Sequence, residues 1–142
     1  MSTQTSASRG TTGEPGPARV VVAVTDRPEG EAALAWAVER ARTTGAGLEV
    51  VFVNGDAPSS PVHATSTARG AAERAAAGAG VAARLHDPHQ DVAEQLIGLS
   101  AGADVLVLPV RRRSATMKFL LGSIAQRVIG EAACPVVTVK AG

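Results

Sequence analysis

Leu120-Leu121-Gly122-Ser123-Ile124-Ala125 continues through Arg127-Val128-Ile129 into Ala133-Cys134-Pro135-Val136-Val137-Thr138-Val139. A small-residue turn opens a helix, and that helix runs into a proline-started hydrophobic strand. The first turn of any helix leaves backbone N–H groups unpaired at the positive end of its dipole. Gly122-Ser123 therefore reads in two ways, as a phosphate cradle or as a glycine turn with a serine cap.

Working back from this stretch, Val105-Leu106-Val107-Leu108 reads as a buried strand, joined to the Gly-Ser turn by an arginine-rich loop. Asp91 starts a helix whose inner face is Val92, Leu96 and Leu99. Val81 to Leu85 is a third strand, placed near an edge because Arg84 interrupts it. An alanine-rich helix is expected from Ser66 to Ala77, ending in Gly78-Ala79-Gly80, after a Pro/Ser loop from Asn54 to Thr65. Leu48-Glu49-Val50-Val51-Phe52-Val53 is a second strand. Before it, Leu34, Ala37, Val38 and Ala41 fall on one helical face, opened by Pro28 and stopped by Gly45 and Gly47. Val20-Val21-Val22-Ala23-Val24 is the first strand, a continuous apolar run of the kind buried on both faces of a parallel sheet.

Strands and helices alternate throughout. That order predicts an α/β fold, a parallel sheet with right-handed crossovers between layers of helices. Ligands of such sheets sit beyond the carboxyl ends of the strands. This edge gathers Thr25-Asp26, Val53-Asn54 and Pro109-Val110, with the Gly122-Ser123 turn folded over it.

Composition narrows the function. The 142 residues suffice for one domain, expected from residue 18 to 142. Residues 1–17 are rich in Ser, Thr, Gly and Pro and read as a disordered tail. Hydrophobic residues make up 45% and aromatics 2%, so the core is built from Val, Leu, Ile and Ala. A net charge of +1 offers no overall attraction to nucleic acid or an anionic membrane. A lone cysteine, Cys134, precludes an internal disulfide, and no signal or membrane-spanning stretch is apparent. A cytoplasmic protein is expected.

Three segments carry a resemblance. They are Val20 to Ala37 with its Ala-Leu-x-Trp-Ala helix, Asp91-Val92-Ala93-Glu94 through Ala103-Asp104-Val105-Leu106-Val107-Leu108, and Leu120 to Val139. In this order and spacing the chain resembles the universal stress protein family from about Arg19 to Lys140. The resemblance implies a five-stranded parallel sheet between helices, Rossmann-like, and a homodimer paired through Val136-Val137-Thr138-Val139. It also implies a test for ATP. Members that bind ATP carry Gly, two residues, Gly, nine residues, then Gly with Ser or Thr. Counting back from Gly122, the earlier glycines fall on Arg112 and Pro109, and a one-residue gap moves them to Arg113 and Val110. Side chains at these positions obstruct a close backbone approach, and Pro109 lacks an N–H. Binders also carry an aspartate right after the first strand, where this chain has Thr25 followed by Asp26. The candidate nucleotide site is thus Thr25, Asp26, Val53, Arg112, Gly122 and Ser123, with ATP as its candidate ligand and a degraded loop.

Arg111-Arg112-Arg113, with Lys118, are an alternative phosphate grip, since guanidinium groups bind phosphate through paired donors. Solvated surface arginines are the plainer reading. His63, His86 and His89 match no zinc spacing and read as surface histidines. Cys134 reads as a small buried apolar residue. No nucleophile turn or Walker loop appears, so no catalytic residues are assigned. The expectation is a dimeric stress-response binding protein that is not an enzyme. Nucleotide binding through the arginines is the alternative, and a slow nucleotide hydrolase comes last. Neither nucleic acid nor membrane is an expected partner.

Overall fold

The computed structural model describes residues 18–25, 27–53, 61–87, 91–110 and 123–140. The expected tail, residues 1–17, lies outside them, as does most of the arginine-rich segment, residues 111–122. The elements alternate as β1 (Arg19–Val24), α1 (Pro28–Thr44), β2 (Gly47–Phe52), α2 (Pro61–Gly78), β3 (Ala83–His86), α3 (Val92–Ser100), β4 (Val105–Pro109), α4 (Ser123–Glu131) and β5 (Val136–Val139). All strand pairs are parallel, in the order β3-β2-β1-β4-β5.

Side chains alternate across the sheet, so each strand feeds two cores. Val20, Val22 and Val24 of β1, Leu48, Val50 and Phe52 of β2, and Val105 and Val107 of β4 face one layer. α1 covers that layer with Ala33, Leu34, Ala37, Val38 and Ala41, and α2 with Ala72 and Ala76. Val21, Ala23, Val51, Leu106 and Leu108 face the other layer, closed by Ala93 and Leu96 of α3 and Ala125 and Val128 of α4. Burial on both faces is what the unbroken β-branched runs predict.

Several boundaries differ from the sequence reading. α2 begins at Pro61 and not near Ser66, because proline suits the first helical position. β3 starts at Ala83 and not at Val81; it is nevertheless an edge strand. Gly45 ends α1 in a left-handed conformation (φ 73°), which glycine adopts without steric cost, whereas Gly47 is already part of β2. The inner face of α3 is Ala93, Leu96 and Ser100, with Val92 and Leu99 half-buried. Ser100 is 1% exposed. Its hydroxyl donates to Ile97 O and accepts the Ala133 N–H at 2.8 Å, so it ties α3 to the chain entering β5. Among the described residues, no helix is long and apolar enough to cross a membrane.

Candidate functional site

The connections from β1 to β3 run one way across the sheet, and those from β3 to β5 run back. The order therefore reverses between β1 and β4, and beyond the carboxyl ends at such a switch point parallel sheets hold their ligands in a crevice. Three of the expected residues meet this edge. Thr25 follows β1, and Val53 follows β2, its N–H donating to Val24 O at 2.8 Å. Ser123 opens α4 and is exposed. Asp26, Arg112 and Gly122 lie outside the described residues.

The β1 end is tightly built. Arg27 sits in an extended conformation at the start of α1 and supplies no side-chain cap. Its N–H donates instead to Thr25 Oγ1 at 3.3 Å. Its carbonyl accepts the N–H groups of Gly30 and Glu31 at 2.9 and 3.1 Å. Gly30 is buried against Thr25; a Cβ there would stand 2.5 Å from both the N and the O of Thr25 and would also strike its Oγ1. Thr25 thus acts as the turn's polar anchor, and its hydroxyl oxygen is already engaged.

The β4 end has little to offer an anion. Pro109 has no N–H, and the N–H of Val110 donates to Val139 O at 2.9 Å. The Val110 side chain is 4% exposed, so it belongs to the core. Two consecutive backbone positions at the mouth of the crevice therefore present no free donor.

Beside α4 the structure adds a contact that the sequence reading did not anticipate. Asp91 caps α3 by accepting the Glu94 N–H at 3.0 Å. The same carboxylate accepts from Arg127 Nη1 of α4 at 3.3 and 3.2 Å, and Arg127 Nε lies 3.5 Å from Glu131. The bond to Asp91 chiefly, with the charges of Glu131 and Glu94, raises the Arg127 guanidinium further above its ordinary range.

A second polar cluster lies elsewhere. Glu49, mid-strand in β2, is 5% exposed. It meets His86 Nε2 of β3 at 2.6 Å and Arg19 Nη1 of β1 at 3.4 Å. His86 is therefore a half-buried hydrogen-bond partner of Glu49, contrary to the surface histidine expected; His89 lies outside the described residues and nothing of the His63 side chain is described. The available signal was a charge inside an otherwise apolar strand, Leu48 to Val53. Cys134 is half-buried rather than buried; burial, and then the nearby Asp104, push its thiol up, away from the reactive thiolate. Among the described residues, no group of three or more His, Cys, Asp or Glu side chains is placed to hold a metal ion.

Comparison with known proteins agrees with this architecture. Residues 17–140 match the model of the universal stress protein family. A universal stress protein of Mycolicibacterium smegmatis is 34% identical over 125 residues, covering 85% of this chain and 96% of the relative. A solved universal stress protein from Archaeoglobus fulgidus superposes with a TM-score of 0.69 at 26% identity, covering 87% of this chain and 98% of its own. A universal stress protein from Archaeoglobus fulgidus solved in complex with dAMP superposes at 0.65 with 22% identity, over 87% of this chain and 98% of its own. Sheet order, helix layers and a match spanning nearly every described residue converge: the chain belongs to the universal stress protein family.

Proposed function

We propose that this chain is a cytoplasmic, dimeric binding protein of the stress response, not an enzyme, whose nucleotide crevice has lost its phosphate cradle. One observation carries the reading. At the mouth of the crevice Pro109 has no N–H and Val110 spends its own on Val139. A phosphate held by backbone donors needs several free N–H groups converging on it. Thr25 supports the same reading, because its hydroxyl anchors the β1–α1 turn where a nucleoside-binding carboxylate is expected.

Isothermal titration with ATP and Mg²⁺ tests this. No binding in the micromolar range is expected, and micromolar binding would overturn it. A second reading draws on the archaeal universal stress protein solved in complex with dAMP, whose fold this chain shares, and puts a nucleotide at the strand ends of this chain. In that case Arg111, Arg112 and Arg113, with Gly122 and Ser123, replace the missing glycines. Changing the three arginines to alanine then abolishes the titration signal; binding that survives the change rules out the arginine grip.

The homodimer is proposed through Val136, Val137, Thr138 and Val139. β4 donates from Leu106 and Val110 to the carbonyls of Pro135 and Val139, so these residues face inward. In a parallel ladder alternate residues face the neighbour, which leaves the backbone groups of Val136 and Thr138 turned to the outer edge. Among the described residues nothing pairs with that edge.

A further inference from the structure

β3 forms the edge of the sheet opposite β5. Leu48 of β2 donates its N–H to Ala82 O at 2.8 Å. In a parallel ladder alternate residues face the neighbour, so Ala82 and Arg84 turn their backbone groups toward β2. Those of Ala83 and Leu85 are left at the outer edge, and among the described residues no strand pairs with them. The side chains of this edge divide by face. Leu85 packs toward the α1/α2 layer. Its neighbours Arg84 and His86 therefore take the other face. On that side α3 packs over β1 and β4, and the α3/α4 core draws Val51 from β2 and no residue from β3.

Charge on that face is unbalanced. Glu49 is already held by His86 at 2.6 Å and by Arg19 at 3.4 Å. Arg84 lies in register beside Glu49. It is exposed, and among the described residues it has no ion pair or hydrogen bond. Asp87, which follows the strand, is taken up by Arg69 of α2 at 2.8 Å. A guanidinium thus stands with its donors unused beside a row of free backbone groups. Its charge opposes a second copy at this edge, since antiparallel pairing of two β3 strands brings both Arg84 side chains onto one face.

We propose that the β3 edge is a docking site for an extended acidic segment of a partner protein. The segment adds to the sheet as a further strand, its backbone bonding to Ala83 and Leu85. Alternate residues of the added strand share a face. A carboxylate opposite Arg84 is therefore gripped by the guanidinium, and the next residue along lies beside Leu85. Recognition favours acidic and apolar residues in alternation. Four paired residues span only ~13 Å, so the contact is transient and weakens with salt. The site lies at the far side of the sheet from β5 and away from the β1 and β4 strand ends, so it stands apart from the dimer and nucleotide readings.

Amide chemical-shift mapping on the isotope-labelled full chain tests the inference, with a capped peptide of alternating Glu and Val as the probe. Saturable shifts centred on Ala83 to His86 are expected. Arg84→Glu is expected to raise the dissociation constant of the peptide about tenfold, and Arg84→Ala severalfold. The same peptide with Lys in place of Glu, or N-methylated at every amide, is expected to leave β3 unshifted. Circular dichroism confirms that each variant folds, and Arg84→Ala keeps the test decisive should the glutamate variant misfold. No saturable shift on β3 overturns the inference. So does binding that survives undiminished either in folded Arg84→Ala or with the methylated peptide. Shifts on β3 that follow protein concentration without peptide overturn it too, since the occupant is then a second copy.

Discussion

Gly30 shows how one hydrogen in place of a methyl group holds a corner of the molecule. The first turn of α1 lies directly on Thr25, and an added Cβ would be pressed against backbone atoms that cannot swing aside. Gly30→Ala is therefore expected to destabilise the protein by about 1–3 kcal/mol, the usual penalty for overpacking a tight contact. Urea denaturation measures it; an unchanged midpoint would show that the corner relaxes freely. The effect runs against helix propensity, which favours alanine over glycine by about 1 kcal/mol. The sign of the result thus separates the two forces. Thr25 belongs to the same corner, and its oxygen holds the Arg27 N–H where a conventional cap is missing.

The elements were mostly legible because hydrophobic period and strand burial agree. The runs Val20 to Val24 and Val105 to Leu108 have no polar break, and the structure places both at the centre of the sheet. The start of α2 was not legible, since the residues after Pro61 lack an apolar period and only the proline marks the turn. Contacts between elements were hidden for another reason. Asp91 and Arg127 are 36 positions apart, and their meeting depends on α3 lying beside α4. Of the candidate site, the strand ends could be placed from the pattern alone, but the Val110 N–H bond to Val139 depends on which strand neighbours β4. Glu49 likewise joins three strands that no local pattern links. It sits between Arg19 and His86 in a sheet interior, so truncation strands polar groups while a hydrophobic replacement of similar volume does less harm. Glu49→Ala is expected to cost about 1–3 kcal/mol. Glu49→Leu is expected to lie much closer to wild type, and chemical denaturation of the two variants checks the order. Equal losses would mean that packing volume, and not the carboxylate, is what β2 needs.

For the molecule as a whole, the outer edge of β5 is the surface that can be altered without disturbing the fold. Thr138 is exposed, and its backbone N–H points away from β4. Proline is tolerated where no ladder bond is lost. Thr138→Pro is therefore expected to remain folded and to sediment as a monomer. A folded dimer with this substitution would place the contact elsewhere. The strand order has a further consequence, for synthesis. β1 is made first yet ends up in the middle, with Val20 beside Leu48 on one side and beside the much later Val105 on the other. A chain leaving the ribosome can satisfy the first partnership early but must wait for most of its length before the second exists. Such distant pairing slows folding and leaves apolar surface uncovered in the interval. The stretch of β1 from Val20 to Val22, whose late partner is β4, is thus a part of the nascent chain that waits long for its neighbour.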